Sequence, residues 1–237
     1  MTSLVTFTTP VHPCSYFPDR AAKTSYEIVA DLTPGEFQLK LETGWRRFGH
    51  TLFRPTCPAC RACQSLRVPA AEFRPDRSQK RAWARNRDVD RTVGVPSITD
   101  EKLTLYDTYH AFQSNDKGWP ELEPESPEAY ANSFVQNPFV VEEWQYRLDG
   151  ELIGVGYVDR TPDGLSAIYF YYNPEHRHRS LGTFNVLSIL ATARADRLPY
   201  VYLGYYVEGF RSLEYKIRFR PNQTIDPVTG AWRRFRD

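Results

Sequence analysis

The run from Val140 to Tyr172 constrains the fold more than any other stretch. Three segments, "VVEEWQYRL", "ELIGVGYVDR" and "LSAIYFYY", are rich in β-branched and aromatic residues, and only Asp149-Gly150 and Pro162-Asp163-Gly164 separate them. Such short turns between strand-forming runs join neighbouring antiparallel strands, so a three-stranded meander is expected. The meander leads into a basic turn, "NPEHRHRSLGT", and then an apolar stretch that predicts a helix to about residue 195. A buried-looking strand, "YVYLGYY", and a shorter helix around 210 to 216 complete the order.

Strand meander, basic loop and helix in this order are the layout of an acyl-CoA N-acyltransferase core. There, loop amides and the helix N-terminus hold a pyrophosphate. Arg177, Arg179, Ser180, Gly182 and Thr183 would hold phosphate here; the alternative is a βα turn with glycine for geometry and charges for solubility. The expected class is α+β, an N-terminal cysteine-containing α/β module followed by an N-acyltransferase-like (GNAT-like) mixed sheet with flanking helices. Gly94, Pro96 and a Ser/Thr cap place the boundary between residues 1–95 and 96–237, ahead of a helix at about 99 to 113.

The N-terminal part carries its own signals. "TPGE" at 33 to 36 reads as a capping box, with a helix after it whose Phe37, Leu41 and Trp45 form one stripe and whose end lies near Gly44. "FRPTCPACRACQSLR" contains Cys57, Cys60 and Cys63 between two short strands, around 50 to 54 and 64 to 70, and the remaining cysteine is Cys14. No basic run followed by an apolar stretch opens the chain, and no apolar run approaches the roughly 20 residues of a membrane span. A cytoplasmic protein without a membrane is expected. In a reducing compartment, clustered cysteines favour a metal over disulfides, so Cys14, Cys57, Cys60 and Cys63 are a candidate set for zinc or an iron–sulfur cluster. The alternative is a group of buried, reduced thiols.

A formal net charge of +1 conceals a local excess: "RPDRSQKRAWARNRD" reads as a helix with Arg77, Arg81 and Arg85 on one face and Lys80 beside them. This face would track a phosphate backbone, with Trp83 for stacking; the alternative is a solvated face paired with Asp76, Asp88 and Asp90. The five histidines form no Ser-His-Asp or HExxH pattern, which removes the familiar hydrolase and metalloprotease classes. His110, on a helix with Tyr106, reads as a packed core residue. His176 and His178 carry more weight as acid–base groups; the alternative for each is a place on a surface turn.

Taken together, "CSYFPDR", "FRPTCPACRACQSLRV", "FRPDRSQKRAWARNRD", "SAIYFYYNPEHRHRSLGT" and "PYVYLGYYVEGFRSLEYKIRFRPN" resemble the aminoacyl-tRNA–protein transferase family, most closely its short bacterial branch. The resemblance runs from about residue 12 to the C-terminus. It implies transfer of an amino acid from a charged tRNA to the N-terminal amine of a protein, creating a degradation signal. The branch implies leucine from Leu-tRNA and acceptors beginning with Asp or Glu. One departure stands out: where relatives read Gly-Cys-x-x-Met-x-Tyr-Lys, this chain has Gly209-Phe210-Arg211-Ser212-Leu213-Glu214-Tyr215-Lys216, so Tyr215 and Lys216 carry over and a cysteine does not. In eukaryotic arginyl relatives the cysteine region is associated with an iron–sulfur cluster.

The implied chemistry needs no cofactor, because an amino acid on tRNA is already an activated ester. Placement supplies much of the rate, and an α-amine with a pKa of roughly 7.7–8.0 needs only modest help from a base. Tyr169, Tyr171, Tyr205 and Tyr215 would frame the ester, with His176 as the acid–base group. Arg177, Arg179 and Lys216 are candidates for the acceptor carboxylate. Arg77, Lys80, Arg81 and Arg85 would steer the acceptor stem. Competing readings are an arginyl-tRNA–protein transferase, an acetyl-CoA-dependent N-acetyltransferase, and a non-catalytic RNA-binding protein with a metal knuckle in residues 50 to 91.

Overall fold

A computed structural model describes residues 1–119 and 123–235. The chain runs β1 (Thr2–Thr8), β2 (His12–Pro13), β3 (Ala21–Ala22), β4 (Thr24–Asp31), α1 (Pro34–Glu42), β5 (Arg46–Phe48), β6 (Thr51–Pro55) and β7 (Cys63–Pro69). It continues through α2 (Arg77–Arg85), β8 (Asp90–Gly94), α3 (Asp100–Lys117) and α4 (Pro127–Tyr130), which ends in a π-helical turn at Ala131–Val135. The second half comprises β9 (Val141–Leu148), β10 (Glu151–Thr161), β11 (Gly164–Tyr172), a 3-10 turn Pro174–Arg179, α5 (Leu181–Ala195) and β12 (Tyr200–Val207). After α6 (Arg211–Glu214) and a 3-10 turn Tyr215–Arg218 come β13 (Gln223–Ile225) and β14 (Trp232–Arg234).

The local signals act as expected. Thr33 accepts from the Glu36 amide, and Glu36 accepts from the Thr33 amide, so both orphan donors at the start of α1 are satisfied. β9, β10 and β11 form the antiparallel meander, and α5 follows the basic turn. Trp144, Tyr146, Ile153 and Val158 of the meander pack with Phe184, Leu187 and Ile189 of α5 in the main core. On the opposite face, Leu105, Tyr106 and Tyr109 of α3 pack with Tyr130, Phe134, Tyr157 and Tyr171.

The meander belongs to an eight-stranded sheet in the order β14-β13-β7-β12-β11-β10-β9-β8. The expected boundary at 95/96 falls between β8 and α3, and this sheet runs across it, since β7 and β8 both precede residue 96. A second sheet, β1-β4-β6-β5, holds its own small core of Val29, Leu32, Phe37, Leu41 and Leu52. That core reaches Tyr202 of β12, in the middle of the large sheet. No helix among the described residues is long and apolar enough to cross a membrane.

Candidate active site

β11 and β12 run parallel but pair only at Gly164 with Tyr200, Leu165 with Val201, and Ser166 with Tyr202. β11 continues to Tyr172 and β12 to Val207, so beyond these pairs the two strands diverge and leave a wedge inside the sheet. Unpaired backbone in a protein interior costs free energy unless another polar group satisfies it. Arg46 of β5 takes that place: it donates to Ser166 Oγ at 3.1 Å and to the carbonyl of Ala167. Its way in passes Gly204 of β12, where φ is +78° and a Cβ would stand 3.4 Å from Arg46 Nε. Burial draws the Arg46 guanidinium down from its ordinary value; it remains a cation. The wedge therefore has a positively charged floor.

Two of the expected site residues line its β12 side. Lys216 donates from Nζ to the carbonyl of Tyr205 at 3.0 Å, and Tyr205 donates to the carbonyl of Gly44 at 2.9 Å. Burial, and then the Arg46 cation, lower Lys216 to about 7. Burial raises Tyr205. Tyr215 keeps much of its ring in solvent, yet burial, with Tyr172 nearby, raises its hydroxyl to about 12.

On the α3 side, Tyr169 Oη and His110 Nε2 lie 2.9 Å apart, and the His110 ring stacks on Tyr106 at 4.2 Å between centroids. Burial lowers His110 against the opposing pull of Asp107, so the imidazole is neutral at neutral pH. His110 also lines a pocket of about 200 Å³ with Tyr106, Asp107, Ser114 and Glu125. The expectation of a plain core histidine misses this contact, and the one sequence signal for it is the shared helix face of Tyr106 and His110. Tyr171 is fully buried and hydrogen-bonded to Tyr130 at 2.5 Å, in the packed interior. His176 lies 3.6 Å from Glu151 on the basic turn.

The basic helix and the basic turn form one surface. Trp83 of α2 packs on Phe184 of α5 with centroids 5.4 Å apart, Arg85 donates to the His178 carbonyl, and Asn86 donates to the Arg179 carbonyl at 2.9 Å. Arg179 turns back to the Arg85 carbonyl and to Asp88, both at 2.9 Å. Arg77, Lys80, Arg81, Arg85 and Arg177 are exposed. Ser180, at φ +59°, turns the chain into α5 beside Gly182 and Thr183.

The four cysteines are free and part-buried on one side of this region. Cys57, Cys60 and Cys63 line a cleft of about 470 Å³ with Arg54, Arg61 and Tyr205. Burial, followed by Cys14, Cys57 and Cys60, pushes the Cys63 thiol up to about 12. Cysteine thiolates are the donor chemistry of a zinc or iron–sulfur site. Among the described residues no three His, Cys, Asp or Glu side chains are already gathered for coordination.

Comparisons with known proteins extend over nearly the whole chain. Residues 12–81 match the family described as arginine-tRNA-protein transferase, N terminus, and residues 101–226 match its C terminus. An aspartate/glutamate leucyltransferase of Hahella chejuensis is 35% identical over 97% of this chain and 97% of its own. One from Marinobacter nauticus is 37% identical over 98% of this chain and 96% of its own. Among solved structures, the C-terminal domain of a protein described as a lysylphosphatidylglycerol synthetase from Agrobacterium fabrum superposes with a TM-score of 0.51 at 16% identity. It covers 73% of this chain and 58% of that one, and the likeness shows the GNAT-like fold.

Proposed function

Because this chain belongs to the aminoacyl-tRNA–protein transferase family, we propose that it moves leucine from Leu-tRNA to the N-terminal amine of proteins beginning with Asp or Glu, marking them for degradation. The observation that carries the reading is the wedge between β11 and β12, where Arg46 is held on Ser166 and Lys216 on Tyr205. The donor and acceptor follow the names of the leucyltransferase relatives.

The reaction is aminolysis of an ester. The acceptor nitrogen attacks the leucyl carbonyl, an amide forms, and the terminal ribose hydroxyl of tRNA leaves. Fixed positive charge at the wedge floor favours the oxyanion that develops on the carbonyl. The exposed Arg77, Lys80, Arg81, Arg85 and Arg177 would hold the acceptor stem, with Ser180, Gly182 and Thr183 near its end. The four cysteines would hold a structural zinc or iron–sulfur cluster, and the transfer asks no electron from it.

Labelled leucine or arginine on tRNA, offered to peptides beginning with Asp, Glu, Ala or Lys, tests the proposal directly. Leucine is expected on the Asp and Glu peptides alone. Arginine transfer would change the donor, and acetyl transfer from acetyl-CoA without either would replace the reading.

Replacing Arg77 and Arg81 together by Ala is expected to weaken Leu-tRNA binding and to lower the slope of log affinity against log salt by about 1 for each phosphate the helix no longer neutralises. Affinity unchanged at low salt would remove α2 from the tRNA interface.

A further inference from the structure

We propose that Lys216 is the proton acceptor of the transfer, taking the proton from the attacking amine; this rests on the leucyl-transfer reading above.

The geometry places the Lys216 ammonium position between the diverging strands. It is tied to Tyr205 on β12, while its neighbour Arg46 is tied to Ser166 and Ala167 on β11. The side chain is part-buried. Among the described residues, the groups facing it are of the wrong kind to keep it charged. Arg46 from β5 repels a second cation, and Tyr205 from β12 offers a neutral carbonyl. On its own segment Glu214 accepts from the Gly209 amide at 2.7 Å, and Arg218 turns to Ser78 at 3.1 Å and to Asp76. An amine without a carboxylate partner, held beside a fixed guanidinium, is driven towards its neutral form. Its value of about 7 places it in the range where a base works best at neutral pH. In the sequence, Lys216 is among the candidates for the acceptor carboxylate. Of the histidines, His110 lies 2.9 Å from Tyr169 Oη and His176 lies 3.6 Å from Glu151.

The step balances without another reagent. As the acceptor N–C bond forms, one N–H proton passes to the Lys216 Nζ. As the ester C–O bond breaks, the ribose oxygen leaves with the bonding pair and recovers that proton from the lysine ammonium, which returns to neutral.

Single-turnover transfer from pre-charged Leu-tRNA, followed across pH for the wild-type protein, Lys216→Arg and Lys216→Ala, tests the assignment. Lys216→Arg installs a permanent cation that cannot accept a proton, and its rate is expected to fall about 100-fold or more with tRNA affinity intact. The inflection near 7 in the wild-type profile should vanish in both variants, leaving the acceptor amine's own ionisation at about 7.7–8.0. Added methylamine should restore part of the Lys216→Ala rate. A Lys216→Arg rate within about threefold of wild type overturns the proposal, and so does a loss confined to KM for the acidic peptide. Should Lys216→Arg fail to fold, the Lys216→Ala profile and its amine rescue decide the matter. A wild-type protein that transfers no leucine overturns the function instead.

Discussion

Asp159→Ala is expected to lower the stability of the fold by about 3–5 kcal/mol, because it strands a buried cation. The Arg47 and Asp159 side chains are both 0% exposed and form an ion pair between β5 and β10. Arg47 also donates to the Gly49 carbonyl at 2.7 Å and to Asn137 Oδ1 at 2.8 Å, and its guanidinium lies 4.5 Å from the Phe139 ring centroid. Burial pushes the Asp159 carboxyl upward, and Arg47 pulls it back, so the carboxylate depends on that one arginine before Arg46 and Ser166. Among the described residues Asp159 Oδ2 and Arg47 Nε have no hydrogen-bond partner, so the pair is under-satisfied even in the intact protein. The double change Arg47→Met with Asp159→Leu should therefore recover most of the loss, as apolar replacements of buried pairs often do. Urea unfolding of the three proteins measures this; a loss below about 1 kcal/mol for Asp159→Ala would show that the pair does not hold the sheets together. Arg46 is the next residue on β5, so the same variant should also reduce transfer.

A methyl group at Gly164 is expected to cost both stability and activity. Gly164 opens the three-pair ladder with β12, and a Cβ there would stand 2.4 Å from the Tyr200 carbonyl oxygen and 3.1 Å from the Tyr202 ring. The first of these neighbours is backbone, so relief requires the strands to part at the one place where they meet. Gly164→Ala should destabilise by about 1–3 kcal/mol through overpacking and slow transfer further, because the wedge takes its angle from this ladder. Gly35→Ala is the matched control: a Cβ there meets nothing within 4 Å, and its stability should stay within about 0.5 kcal/mol of wild type. Thermal unfolding and single-turnover transfer on both proteins check the prediction, and a Gly164→Ala protein with wild-type values in both would contradict it.

Features that depend on neighbours in the chain were legible from the residues. The Thr33 and Glu36 cap, the strands on either side of Asp149-Gly150, and the helix after Ser180 each rest on a turn geometry or a side-chain period spanning a few residues. The basic character of α2 and of the 174–179 turn was equally plain. That they form one surface was not, because it rests on Trp83 meeting Phe184 across about a hundred positions.

Short-range turns and periodicity were enough to specify the meander, the basic turn, the helix behind it and the set of groups available for chemistry. Folding in three dimensions was needed to bring β7 into the large sheet beside β12, to part β11 from β12 after Ser166, and to set Arg46 in the opening. Range separates the two sets. Nothing near Arg46 in the chain distinguishes it from the exposed arginines until Ser166, 120 positions away, accepts its hydrogen bond. Likewise Lys216 is an ordinary cation in the sequence, and becomes a base only where burial and the charge of Arg46 act on it together.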